Sequence, residues 1–298
     1  MIRRPPRSTL DRSSAASDVY KRQIQRMSSR FTEQETETYY DSQDDIYRSV
    51  WDEEGSVHWG LFDDNTGDDF LKACNNLNNM MAEKGQIKST SNVLDLGCGN
   101  GTTAIWLNND RGCHVTGVDL SGVRISNAQK ARTLLSQSAQ NKLAFEKASA
   151  AELPFEDESF THLWSQATIY HVPDKKSVLE EAFRILKPGG IMVFDDLIKP
   201  KPNISADAQK FVYDRLLYDT PFSFESYQDT LKAHGFKVIE AHDLSAHLKN
   251  SYILLAGRVP TNSTEHAEHY KELANSYIET ARAVDNQDLG WGFYVCQK

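Results

Sequence analysis

The stretch that most constrains this chain is Val93-Leu94-Asp95-Leu96-Gly97-Cys98-Gly99-Asn100-Gly101. A short apolar run of β type enters a glycine turn, and a helical pattern starts at Thr102. Without Cβ atoms the turn lets backbone pass close to a ligand. The helix start then offers free N–H groups to a polar group on it. An acidic residue leads the glycines, so the form is D-x-G-x-G-x-G and not the G-x-G-x-x-G of dinucleotide sites.

Downstream, short apolar runs alternate with longer amphipathic ones, which is the pattern of βαβ units on a parallel sheet. Strands are expected at 93–97, 114–120, 143–149, 162–167, 191–197, 237–244 and 292–298. Helical periodicity falls at 102–108, 123–136, 175–186, 224–234 and 266–284. Lys187-Pro188-Gly189-Gly190 is expected to stop the third helix and turn into the fifth strand. Residues 27–90, where aromatic residues are scattered among acidic ones, read as a helical cap. Residues 199–218 read as an insertion after the fifth strand, and 91–298 as the main domain.

Charge and cysteine usage narrow the partners. With 42 acidic against 33 basic residues the net charge is −9, which argues against a nucleic-acid backbone as partner. Cys74, Cys98, Cys113 and Cys296 have no metal-ligand spacing, so no metal site is expected. No run is long and apolar enough for a membrane span. Residues 1–26 are read as a disordered tail. Met1 to Gln23 resembles translated adapter sequence from transcriptome assemblies and is set aside from fold reasoning, with a basic leader or an organelle transit peptide as alternatives. The expectation is a cytoplasmic protein, monomer or homodimer, acting on a small molecule.

Three segments in order resemble the class I S-adenosylmethionine (SAM)-dependent methyltransferases over roughly two-thirds of the chain. They are the glycine turn, Asp119 at the end of the second strand, and Ser149-Ala150-Ala151-Glu152-Leu153-Pro154-Phe155. Asp119 alone does not choose between SAM and a dinucleotide, since a carboxylate there can accept ribose hydroxyls in either. The resemblance implies an α/β, Rossmann-like seven-stranded sheet with the N-terminal helical cap and the insertion after strand 5, and SAM as methyl donor. It further implies that Asp95 holds the methionine ammonium beside Gly97, Cys98 and Gly99. Asp119 and Leu120 would take the ribose, Ser149 and Ala150 the adenine, and Gln166 would complete the cofactor set. Ser149 stands where such enzymes commonly have aspartate.

The stretch Trp164-Ser165-Gln166-Ala167-Thr168-Ile169-Tyr170-His171-Val172-Pro173-Asp174-Lys175 resembles a segment of the sarcosine/dimethylglycine and the phosphoethanolamine N-methyltransferases. In the second group an early tyrosine and the histidine of this segment form a catalytic dyad. His171 matches the histidine, and Tyr40 or its neighbour Tyr39 the tyrosine. Ala167 departs from the aspartate of the phosphoethanolamine enzymes, and no basic cluster for a phosphate is visible. Gly290-Trp291-Gly292-Phe293 resembles the closing strand of several of these enzymes.

Methyl transfer is an in-line displacement that depends mainly on alignment. A histidine with an ordinary pKa near 6.5 could take the proton of an amine acceptor, whereas a thioether needs no base. Trp51, Trp59, Trp164 and Tyr170 are expected to line the acceptor pocket, where rings favour a methylated cation, and Arg48 or Arg215 to anchor a carboxylate. Ordinary packing for the rings, helix capping for His171 and surface exposure for the arginines are the plainer readings. The expected reaction is N-methylation of glycine, sarcosine or dimethylglycine in osmolyte biosynthesis. The alternatives are S-methylation of a thioether acid such as 4-methylthio-2-hydroxybutyrate, phosphoethanolamine N-methylation, or a SAM-fold scaffold that has lost catalysis.

Overall fold

The structure, a computed structural model, describes residues 30–261 and 267–298. The 1–26 tail lies outside the described residues, as does His266 at the start of the last expected helix.

Seven strands form one sheet in the order β3-β2-β1-β4-β5-β7-β6. They are β1 (Asn92–Leu96), β2 (His114–Asp119), β3 (Leu143–Lys147), β4 (Phe160–Gln166), β5 (Leu186–Ile198), β6 (Lys237–Asp243) and β7 (Gly290–Gln297). β7 runs antiparallel to both its neighbours, and the pairs β1–β2, β1–β4, β2–β3 and β4–β5 are parallel. The central strands are rich in buried apolar residues because both faces are covered, with polar side chains such as Asp95, Gln166 and Asp195 towards their carboxyl ends. Val93, Trp164 and Val193 pack into one core layer, and Leu94, Leu163 and Phe194 into the other.

The cap consists of α1 (Glu33–Val50) and α2 (Phe70–Lys84). Thr32 starts α1 through a reciprocal capping box with Glu35, and Asp69 caps α2. After β1 comes α3 (Thr102–Arg111), and after β2 comes α4 (Gly122–Thr133). α5 (Lys175–Ile185) precedes β5, α6 (Phe224–Ala233) precedes β6, and α7 (Ser245–Arg258) and α8 (Ala267–Asp285) lie between β6 and β7.

Three expectations need correction. The 187–190 turn belongs to β5, which is already paired at Leu186; the turn survives as a kink at Gly189, whose φ is +77°. The 123–136 helix ends at Thr133, and a separate helical turn follows at Gln137–Gln140. α7 was not expected. Its buried face is Leu248, Ser251, Tyr252 and Leu255, so a serine interrupts the apolar stripe, and Leu244 at its start supplies no side-chain cap. The 199–218 insertion holds a short helical turn, Ala206–Ala208, that widens into a π-helical one, Gln209–Asp214.

Candidate active site

The carboxyl ends of β1, β2 and β4 open into one cleft, roofed by α1 and the loop after it. At its first end the glycine turn folds tightly. Gly97 has φ +79°, and a Cβ there would lie 2.1 Å from Thr168 Oγ1, so only glycine fits. Asp119 closes the turn by accepting from Gly99 N at 2.9 Å and from Ser121 N at 2.8 Å. Asp95 is buried, and its Oδ2 has no partner. Burial, with the charge of Asp119 added, pushes the Asp95 pKa up to about 8. Burial raises Asp119 as well, against the pull of Arg124 and of the two backbone donors. Cys98, Leu120, Ala150 and Gln166 also line this end. Gln166 is fixed by accepting from Trp164 Nε1 at 3.0 Å and Thr103 Oγ1 at 3.3 Å, and by donating to Asn78 Oδ1 at 2.9 Å.

At the other end the walls are aromatic. Tyr40, Tyr47, Trp51, Trp59, Tyr170 and Tyr252 line it together with His58 and His171. Tyr40 Oη is hydrogen-bonded to His171 Nε2. His171 sits in the 3₁₀ turn Ile169–His171 after β4, where Ala167 turns the chain with φ +50°. Asp196 Oδ1 accepts from Tyr170 N at 2.8 Å. The Lys175 ammonium donates to the carbonyls of Tyr170, Val172 and Asp219 at 2.7–3.0 Å. Burial first, then Lys175 and Arg124, push the His171 pKa down to about 3; the Leu217 backbone only partly offsets this. The ring is therefore neutral at pH 7 and a weaker base than the ordinary histidine expected. Burial also holds the Tyr40 phenol well above its usual range.

The Methyltransferase domain family model matches residues 94–194. A (+)-O-methylkolavelool synthase from Herpetosiphon aurantiacus is 32% identical over 218 residues, covering 73% of this chain and 75% of that protein. The chain belongs to the class I SAM-dependent methyltransferases. A sarcosine/dimethylglycine N-methyltransferase from Halorhodospira halochloris is 27% identical over 282 residues, covering 91% of this methyltransferase and all of the relative. The structure of a putative sarcosine dimethylglycine methyltransferase from Galdieria sulphuraria shares the fold with TM-score 0.76 and 24% identity, covering 87% and 98% of the two chains.

The residues of this methyltransferase fit SAM. Asp95 offers an orphaned buried carboxylate oxygen where a ligand ammonium would satisfy it, and Asp119 offers a fixed carboxylate one strand away. Five of the residues expected at the site lie outside the cleft lining. Ser149 donates to Glu33 at 2.6 Å, so its hydroxyl points to α1 while Ala148 and Ala150 face the cleft. Trp164 is buried in the core. Tyr39 donates to or accepts from Tyr47 Oη at 2.9 Å and borders a neighbouring cavity with Arg215. Arg48 is in the last turn of α1, away from the lining.

Sequence reasoning missed the contacts that seat the cap. Asp44 accepts from Asn100 Nδ2 at 3.0 Å, Arg124 Nε at 3.2 Å and Asn127 Nδ2 at 3.2 Å. Asp41 accepts from Ser121 Oγ at 2.5 Å, and Glu37 from Lys147. Glu33, Glu37, Asp41 and Asp44 recur at helical spacing on one face of α1, and that periodicity was the available signal.

Proposed function

We propose that this methyltransferase transfers the SAM methyl group to the amine of a small zwitterionic acceptor of the glycine, sarcosine or dimethylglycine type. The observation that carries the reading is the split character of the cleft. Its lining carboxylates are Glu33, Glu37, Asp95 and Asp119, from α1 and the first two strands, and the opposite end is a wall of six aromatic rings. Such rings stabilise a methylated cation by about 0.5–2 kcal/mol each while leaving it no carboxylate to pair with. Arg215 lies behind that wall, with its guanidinium carbon 5.9 Å from the Tyr252 ring and 5.3 Å from the Tyr277 ring. Its buried Nη1 has no partner, and it borders the neighbouring cavity that shares Tyr47 with the cleft, so an acceptor carboxylate reaching past Tyr47 would meet it. The relative from Halorhodospira halochloris supports the same acceptor class.

SAM, when bound, supplies an electrophilic methyl on a sulfonium. The chain's own part is alignment. Tyr40 Oη, held by His171, presents a neutral polar edge to the acceptor among the lining rings. His171 at about 3 is too weak a base to keep a proton taken from an ammonium, so the amine is methylated from its free-base form. The same observation favours a second reading, S-methylation of a thioether acid, which requires no proton transfer.

Incubation with methyl-labelled SAM and glycine, sarcosine, dimethylglycine, phosphoethanolamine, 4-methylthio-2-hydroxybutyrate and methionine separates the two. Label in an amine product supports the first reading. Label only in a sulfonium product replaces it with the second, and label in neither class overturns both.

A further inference from the structure

Arg124 occupies a costly position. It lies in the first turn of α4, where the helix dipole disfavours a cation, and it is 7% exposed. Its ion-pair partner among the described residues is Asp44, a buried pair of the kind that adds little net stability. Its Nη2 is buried and has no hydrogen-bond partner among the described residues. What it does touch is specific: its Cζ stands 4.2 Å from the centroid of the Tyr40 ring, and it lines the cleft between Asp119 and that ring.

The contacts form a continuous chain. Asn100, in the glycine turn, donates to Asp44. Asp44 accepts from Arg124 Nε, the Arg124 guanidinium carbon lies over the Tyr40 ring, and Tyr40 Oη meets His171 Nε2. Asn127 braces the first links, donating to Asp44 and to Asn100 Oδ1 at 2.9 Å. A planar guanidinium fixed along one edge defines where an aromatic ring can stack on it, and an ammonium on a flexible stem does not.

We propose that Arg124 is a positioning residue that sets Tyr40 against His171 and ties that geometry to the glycine turn. The proposal rests on the reading that Tyr40 and His171 face the acceptor. Any shift of the turn when the donor binds would pass through Asn100 and Asp44 to Arg124, and so reach the acceptor end. Arg124 also helps keep His171 neutral, and a neutral ring can accept the Tyr40 hydroxyl.

The test compares Arg124→Met, Arg124→Lys, Tyr40→Phe and the Arg124→Met/Tyr40→Phe double variant. The first readout is the imidazole ¹⁵N spectrum of His171 in protein saturated with S-adenosylhomocysteine, which needs no acceptor. Arg124→Met and Arg124→Lys are expected to shift the Nε2 resonance in the direction that Tyr40→Phe does. The second readout is kcat with whichever acceptor is turned over. Arg124→Met should lower it by roughly tenfold or more in the parent and have little further effect in the Tyr40→Phe background. Arg124→Lys should not restore it, although the charge is kept. An unshifted His171 resonance, or an equal loss of kcat in both backgrounds, overturns the proposal. If no acceptor is turned over, the functional reading fails and the spectrum still decides this one. If Arg124→Met does not fold, Arg124→Lys carries both readouts.

Discussion

Asp95 and Asp119 stand on adjacent parallel strands and face one cleft, and the negative charge of Asp119 adds to burial in lifting Asp95 to about 8. A ligand ammonium at Asp95 needs the ionised carboxylate. SAM affinity is therefore expected to rise between pH 6 and 7.5, by up to about tenfold per pH unit, with release of a proton. Calorimetry in two buffers of different ionisation enthalpy measures both effects. Asp95→Asn should bind more weakly and lose the slope; a slope that survives in this variant would show that another group is responsible.

Asp119→Ala removes the acceptor for both Gly99 N and Ser121 N as well as the expected ribose partner. Charge-assisted hydrogen bonds contribute about 1.5–3 kcal/mol each, so SAM affinity should drop by roughly tenfold to a hundredfold. Equilibrium dialysis with labelled SAM checks this, and unchanged binding would rule out Asp119 as a ligand.

Burial pushes the His171 pKa down to about 3 in the fold, against about 6.5 for an ordinary imidazole in the unfolded chain. Between these values the unfolded chain binds the extra proton, so this residue's contribution is present above pH 6.5 and is lost as pH falls towards 3. Urea unfolding from pH 7 to 4.5 should show the parent losing stability more steeply than His171→Asn, by at most about 1.4 kcal/mol per pH unit. Parallel curves would mean that the ring is not buried as described.

If Arg215 holds the acceptor's carboxylate, Arg215→Met should raise the acceptor KM about tenfold or more and leave SAM affinity nearly unchanged, with Arg215→Lys in between. Steady-state kinetics at saturating SAM reads the difference. An unchanged KM would remove Arg215 from the acceptor site.

Much of the sheet was legible because strands buried on both faces are dominated by apolar residues: Val93, Leu94 and Leu96 mark 93–97, and Ile191 to Phe194 with Leu197 mark 191–197, with Asp95, Asp195 and Asp196 as the carboxylate exceptions. α7 was hidden by Ser251 in the middle of its buried face and by the absence of a capping side chain at Leu244. The cofactor end was legible because its residues lie in continuous motifs, Asp95 to Gly101 above all. The Asp44–Arg124 pair joins residues 80 apart, and no local pattern announces such a pairing. Ser149 shows the limit of a motif, since the motif gives its position and the tertiary contact with Glu33 decides where its hydroxyl goes.

The acidic face of α1 touches Ser149, Lys147, Ser121 and Arg124 in turn, so the helix lies along the rim of the cofactor cleft from its first turn. Lys298 is tied instead to Gly189 and Gly190 near the start of β5, at the far end of the sheet. A substitution on the acidic face of α1 would therefore be felt along the cofactor cleft, whereas one at the Lys298 contacts with Gly189 and Gly190 acts at the opposite end of β5 from Asp195 and Asp196.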